Sequence, residues 1–189
     1  MSNPPQRLVP VTEEQIPQKT LDALAPYRDS HGDIYAIWRT LARHPEALRR
    51  FIVFSNHVLG KNALPTRWRE LVILRVAYLT KADYEWGQHV RIGREAGLTD
   101  PEVSAIISGD WSALADQEVA LLEATDELVL NHKLSDGSWA RFRSQLTDEQ
   151  IIDALYTVGQ YLTVALIVNA LHIAPEDGAE RLPAIDVTA

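Results

Sequence analysis

The chain has 189 residues, 46% of them hydrophobic, and a formal net charge of −8, which fits one globular domain with a substantial core. That acidity argues against nucleic acid or an anionic membrane as partner, since both need a basic face. There is no cysteine, so disulfides, thiolate metal sites and thiol redox chemistry are excluded.

The N-terminus shows no positively charged start ahead of an apolar stretch, as a signal peptide would. The longest apolar run, near Leu162 to Val168, is far shorter than the roughly 20 residues a bilayer span requires. The expectation is a cytoplasmic protein. Residues 1–17 carry Pro4, Pro5, Pro10 and Pro17 and show no helical period, so they read as an extended arm. Helical pattern begins near Leu21 and breaks at Pro26. From Asp33, the residues Ile34, Ile37, Trp38 and Leu41 fall at helical spacing. His44-Pro45 ends that helix, because the residue before a proline is pushed out of the α region. Pro45 then opens the next, with Leu48, Phe51, Ile52, Phe54, Val58 and Leu59 as its apolar stripe and Gly60 as its stop.

The stretch from Thr66 to Leu98 reads as two consecutive helices. Between Leu71 and Leu79 the first has only Arg75 charged, too apolar for a surface helix, so it belongs in the core. Glu70 stands near its start. The second, from Asp83 to about Ala96, places Glu85 and His89 four apart and on one face. Gly97 reads as a helix stop, and Thr99-Asp100-Pro101-Glu102 as the cap of a short helix carrying Val103, Ile106 and Ile107. A longer helix follows from Gln117 to about His132, with Val119, Leu122, Thr125 and Val129 on its apolar face. A short one carries Trp139 and Phe142. The last runs from Glu149 to about Ile173 and ends before Pro175. No strand alternation is visible, so the class is all-α. The domain spans 18–175, between the arm and a tail at 176–189. Shifted by 48 positions, Leu98-Thr99-Asp100 falls on Leu146-Thr147-Asp148 and Glu70 on Glu118, which suggests a duplicated helical unit.

The segment RELVILRVAYLTKADYEWGQHVRIGREAGLTDPEV resembles the core of the carboxymuconolactone decarboxylase family, within the alkylhydroperoxidase-D-like fold. The likeness is strongest from about Leu64 to Ile107. The stretches LARHPEAL before it and DELVL…LTDEQIIDAL…VGQYLTVALIVNALHI behind it resemble longer members. The resemblance implies an all-helical homo-oligomer (dimer, trimer or hexamer). Members of the peroxidase branch use a Cys-x-x-Cys pair, a His four residues on, and a Glu on the preceding helix. Those positions fall on Ala82, Glu85, His89 and Glu70 here. With both sulfurs missing, a thiolate-dependent peroxidase is not expected. The YEWGQH form is instead similar to the decarboxylase branch, and implies cofactor-free acid/base chemistry in aromatic-compound catabolism.

His89 is then the natural proton donor or acceptor, since an ordinary imidazole changes charge near neutrality. Glu85, one turn before it, holds the imidazole in one tautomer, and Glu70 is the second carboxylate, sharing or relaying a proton. Tyr84 and Trp86 flank Glu85 as pocket walls, and Tyr161 and Asn169 reach the pocket from the last helix. Each has a plainer interpretation. Glu85–His89 is also what a surface ion pair looks like, and Glu70 could pair with Arg67 or Arg69. Tyr84 and Trp86 could be simple packing, and Tyr161, Asn169 and His172 satisfied core or interface groups. His57 and His132 sit where carbonyl capping is common, and His44 reads as structural. The expectation is a cofactor-independent decarboxylase, lyase or isomerase for a small carboxylated or lactone-type substrate, with no cofactor and no metal. The alternatives are a non-catalytic oligomeric ligand-binding protein and a metal-dependent hydrolase or peroxidase-like enzyme.

Overall fold

The computed structural model describes residues 5–29 and 31–183. The first four residues of the arm and the last six of the expected tail lie outside the described residues. The described residues form nine α-helices: α1 (Gln18–Leu24), α2 (Ala36–Leu41), α3 (Pro45–Gly60), α4 (Thr66–Leu79), α5 (Asp83–Glu95), α6 (Asp100–Ser108), α7 (Asp116–Asn131), α8 (Asp136–Gln145) and α9 (Asp148–Leu171). Among them no strand forms beyond one isolated bridge between Arg28 and Ile34.

Helix α4 is the axis, packing against α5, α6, α7 and α9, and every residue from Arg69 to Ala77 is buried. Its two faces feed two apolar clusters. Leu71, Leu74 and Ala77 join Trp86, Val90, Ile106, Leu122, Val164 and Val168. Val72, Ile73 and Val76 join Val58, Leu121, Phe142, Ile151 and Val158. A run apolar on every side, as Leu71–Leu79 is apart from Arg75, must be enclosed in this way. Its one mid-helix charge is satisfied. Arg75 donates to both carboxylate oxygens of Asp126, at 2.6 and 2.7 Å, and lies over the rings of Tyr78 and Trp111.

The turn from α4 to α5 is short. Ala82 N–H donates to the Ala77 carbonyl at 2.8 Å, and Lys81 takes a left-handed φ of 56°. So tight a turn lays α5 back antiparallel along α4, opposing the start of α4 to the second half of α5.

The correspondence at 48 residues survives in the helix order, α4-α5-α6 against α7-α8-α9. Thr99 and Thr147 are both N-caps whose backbone N–H groups bond back to Glu102 and Gln150. In α7 the buried face differs from the expected one. Ala120, Leu121 and Ala124 are buried beside Leu122 and Thr125, while Val119 and Val129 are only half-buried, because α7 is covered by α4 and α8 from two sides. The described arm lies on the body: Arg7 N–H donates to the Leu171 carbonyl at 2.9 Å, Val11 N–H to that of Arg39 at 3.3 Å, and Arg43 Nε to that of Val9 at 2.8 Å.

Among the described residues α9 is the one helix long and apolar enough to cross a membrane, and 56% of that window is buried in the bundle.

Candidate functional site

A cavity of about 360 Å³ opens between α2, α3, α4, α5 and α9, lined by Glu70, Glu85, His89, Tyr84 and Tyr161 among others. This size suits a small ligand. Part of its wall is aromatic, with Tyr27, Tyr35 and Trp38 joining Tyr84 of α5 and Tyr161 of α9.

The antiparallel pairing of α4 and α5 puts Glu70 beside His89. Glu70 is fully buried and His89 nearly so. Oε2 of Glu70 lies 2.7 Å from His89 Nδ1, and Oε1 accepts from Arg69 Nε at 3.0 Å and Nη2 at 2.9 Å. Burial pushes the Glu70 carboxyl up, but His89 and Arg69 together outweigh it and hold it below the ordinary glutamate range. Glu70 is therefore the ionised acceptor, and Nδ1 of His89 carries the hydrogen.

His89 Nε2 faces the other way. It lies 3.0 Å from the Tyr161 hydroxyl and 3.7 Å from Glu85 Oε2, with the tyrosine ring edge-on to the imidazole. The hydroxyl donates to a neutral imidazole and accepts from a protonated one. Burial opposes charging of His89, yet the Glu70 carboxylate, with Glu85 behind it, raises its pKa above the usual value. Glu85 has no hydrogen-bonded cation of its own. Burial lifts its pKa to about 7, with His89 opposing and Glu176 and Glu70 adding to the rise. Glu85, with its pKa near 7, and His89, with its pKa raised, thus face each other at one imidazole nitrogen and titrate as a coupled pair.

The expected division of labour is corrected by this geometry. Glu70, not Glu85, fixes the imidazole tautomer, because of the two carboxylates Glu70 alone reaches a ring nitrogen at hydrogen-bond distance. Both interpretations of Glu70 hold at once: it is paired with Arg69 and it orients His89. Arg67 is committed elsewhere, to Glu102 and Glu118. Tyr84 and Tyr161 line the cavity, but Trp86 and Asn169 do not. Trp86 lies one residue beyond Glu85, about 100° round the helix, and its ring is buried in the core away from the cavity. Asn169 sits two turns beyond Tyr161 on α9, where its Nδ2 donates to the Thr80 carbonyl at 2.8 Å, beside His172 in a separate hollow. His57 caps no carbonyl with its side chain; it bonds Asp153 at 2.6 Å. His132 and His172 each end their helix in a left-handed conformation, and His44 caps α3 through Nδ1.

Sequence reading missed Gln88, Gln160 and Ser55, which line the cavity; Gln160 donates to Ser55 at 2.7 Å. It also missed Glu176. The described part of the expected tail packs against α5, and Glu176 accepts from the Tyr84 hydroxyl at 2.8 Å and from Gln88 Nε2 at 2.5 Å. One signal was available. Gly87, within α5, lies so close to this segment that an added Cβ would stand 3.0 Å from the Glu180 carbonyl oxygen, and a glycine inside a helix often marks such an approach.

Among the described residues no group of three or more His, Asp or Glu side chains is placed to hold a metal ion. Glu70 and Glu85 sit at opposite nitrogens of His89 and cannot converge on one ion with it.

The model of the carboxymuconolactone decarboxylase family matches residues 45–127. No curated protein matches the chain. Solved structures do. An uncharacterized peroxidase-related protein from Ralstonia eutropha JMP134, described as an alkylhydroperoxidase AhpD core, superposes with a TM-score of 0.81 at 17% identity, over 93% of this chain and 95% of that one. An uncharacterized peroxidase-related protein from Silicibacter sp. TM1040 gives 0.81 at 16% identity, over 95% and 97%. The debrominase Bmp8, in complex with 2,3,4-tribromopyrrole, gives 0.77 at 12% identity, over 93% and 95%. At such identities the likeness is one of fold.

Proposed function

We propose that this chain, a cysteine-free relative of the carboxymuconolactone decarboxylase family, is a cofactor-independent acid/base enzyme for a small carboxylated or lactone-type substrate. The observation that carries this is His89, with Nδ1 tied to the ionised Glu70 and Nε2 turned to the cavity beside Glu85 and Tyr161. Glu70 stabilises the imidazolium. In a decarboxylation, the departing CO2 leaves an extended enolate, and His89 Nε2–H delivers the proton to carbon. The neutral imidazole is then recharged from Glu85 or water. In an isomerisation the same nitrogen removes a proton and returns it one or more atoms away.

The test is turnover of carboxylated lactones and aromatic acids in D2O, followed by mass spectrometry. Product made by the parent protein should carry deuterium at carbon. His89→Ala and Glu85→Gln should lose roughly 10²–10⁴-fold in turnover while staying folded. Full activity in both variants would overturn the assignment. The second reading is a non-catalytic ligand-binding protein of this fold, favoured by the engagement of both Glu70 oxygens with Arg69 and His89. Ligand-induced thermal shifts without turnover would select it.

We also infer self-association. α3 and α9, which pack together, leave Val53 73% and Leu166 72% exposed, with Ile152, Leu155 and Tyr156 open on the same α9. A second copy of the chain is the occupant proposed for this face.

A further inference from the structure

We propose that Glu176 is a positioning residue of this site: through it the C-terminal segment orients Tyr84 and Gln88 in the cavity wall and places a negative charge beside Glu85. The importance of that charge rests on the acid/base function proposed above; the placement itself does not.

Glu176 ties three parts of the molecule. One oxygen accepts from the Tyr84 hydroxyl at 2.8 Å and from the Ala36 N–H, at the head of α2, at 3.2 Å. The other accepts from Gln88 Nε2 at 2.5 Å. Tyr84 and Gln88 stand one turn apart on α5, on either side of Glu85, and both line the cavity. The segment is held by further bonds on either side of the Gly87 crossing. Arg94 pairs with Glu180 at 2.6 Å, and Leu182 N–H donates to Asp83 at 2.7 Å. At Gly87 an added Cβ would stand 3.0 Å from the Glu180 carbonyl oxygen and 3.1 Å from the Ala179 Cβ, so the segment packs directly on the α5 backbone. The segment is thus built into the back of the catalytic helix, with its one inward carboxylate at the two wall residues next to Glu85.

The groups that act on Glu85 are His89 on its own helix, Glu70 on α4 and Glu176; Tyr161, on α9, feels the Glu85 charge in turn. His89 favours the ionised carboxylate, whereas Glu70 and Glu176 disfavour it. Glu70 cannot be removed without also releasing Arg69 and His89. Glu176 can, since it contacts neither.

The test needs no substrate. With 13C at glutamate carboxyl carbons, the Glu85 signal is identified by its loss in Glu85→Gln and titrated by NMR. The parent midpoint is expected at about 7. In Glu176→Gln, which keeps a hydrogen-bond acceptor and drops the charge, it should fall by roughly half a pH unit or more. Glu176→Ala gives a second charge-free variant should the amide misfold, and Glu176→Asp should hold the midpoint near that of the parent. Glu180→Gln loosens the same segment at its pair with Arg94, away from Glu85, and should leave the midpoint unmoved. An unchanged midpoint in the charge-free variants overturns the proposal, as does an equal fall in Glu180→Gln, which would assign the effect to docking of the segment alone. Loss of catalysis in His89→Ala is a separate measurement, so the two proposals fail separately.

Discussion

Glu70 Oε2 and His89 Nδ1 lie 2.7 Å apart across 19 residues of chain. Both are buried, and the far side of the imidazole looks into a cavity. A buried carboxylate shared by a guanidinium and an imidazole is held by hydrogen bonds to both its oxygens, and taking it away leaves two buried cation-forming groups without their shared counter-charge.

Glu70→Gln should therefore destabilise the protein by about 3 kcal/mol or more, the usual cost of breaking a buried ion pair from one side. Urea unfolding at neutral pH measures it. A loss under about 1 kcal/mol, the level of an exposed pair, would show that Arg69 and His89 find other partners.

Glu85→Gln should behave oppositely and with a definite pH dependence. The folded-state pKa of Glu85 is raised to about 7 from an ordinary 4.5, so between these values the folded chain keeps a proton that the unfolded chain has released. Stability from this group is full below pH 4.5 and is lost as pH rises through 7, by about 3 kcal/mol at most. His89, whose pKa is also raised, contributes in the same direction, with its share complete below its unfolded pKa and lost through the folded one. Glu85→Gln mimics the protonated carboxyl. It should match the parent near pH 4 and exceed it in melting temperature at pH 8. Equal stability of the two proteins at pH 8 would contradict a buried carboxylate whose pKa burial has raised.

Tyr161→Phe removes the hydroxyl at His89 Nε2 and preserves the ring that meets the imidazole edge-on. The expected loss of stability is about 0.5–1.5 kcal/mol, that of one buried hydrogen bond. Nε2 should then react faster with diethyl pyrocarbonate, measured by mass spectrometry at residue 89. Unchanged reactivity would mean the hydroxyl does not cover that nitrogen.

Leu166→Glu places a charge on the open face of α9. Light scattering of the parent should give a mass above that of one chain, and the variant should fall toward the monomer, since a charge buried at an apolar interface is strongly disfavoured. A monomeric parent protein would remove the self-association proposal.

Much of the helical order could be read in the sequence, because its causes are local. Thr99 and Thr147 with acceptors three residues on are capping signals wherever they occur, and Pro45 opens α3 for reasons internal to the backbone. The run from Leu71 to Leu79, with Arg75 its single charge, announced a core helix. The four-residue spacing of Glu85 and His89 put both on one face before any packing was known.

Which carboxylate grips His89 was a different kind of question. Spacing favoured Glu85, but a hydrogen bond depends on tenths of an ångström, set here by how α5 folds back on α4 and by the direction each side chain takes. That crossing gave the ring to Glu70 and left Glu85 3.7 Å off. Desolvation then lifted the Glu85 pKa, something no pattern of neighbours in the chain encodes. Trp86 and Asn169 turned away from the cavity for similar reasons of packing, and Glu176 reached Tyr84 and Gln88 in its wall from a segment that looks featureless in isolation. The sequence by itself determined the helices and supplied the acid/base groups, since periodicity and capping act over a few residues. Only the tertiary structure decided their partners and their charge, because distance and burial are properties of the packed chain.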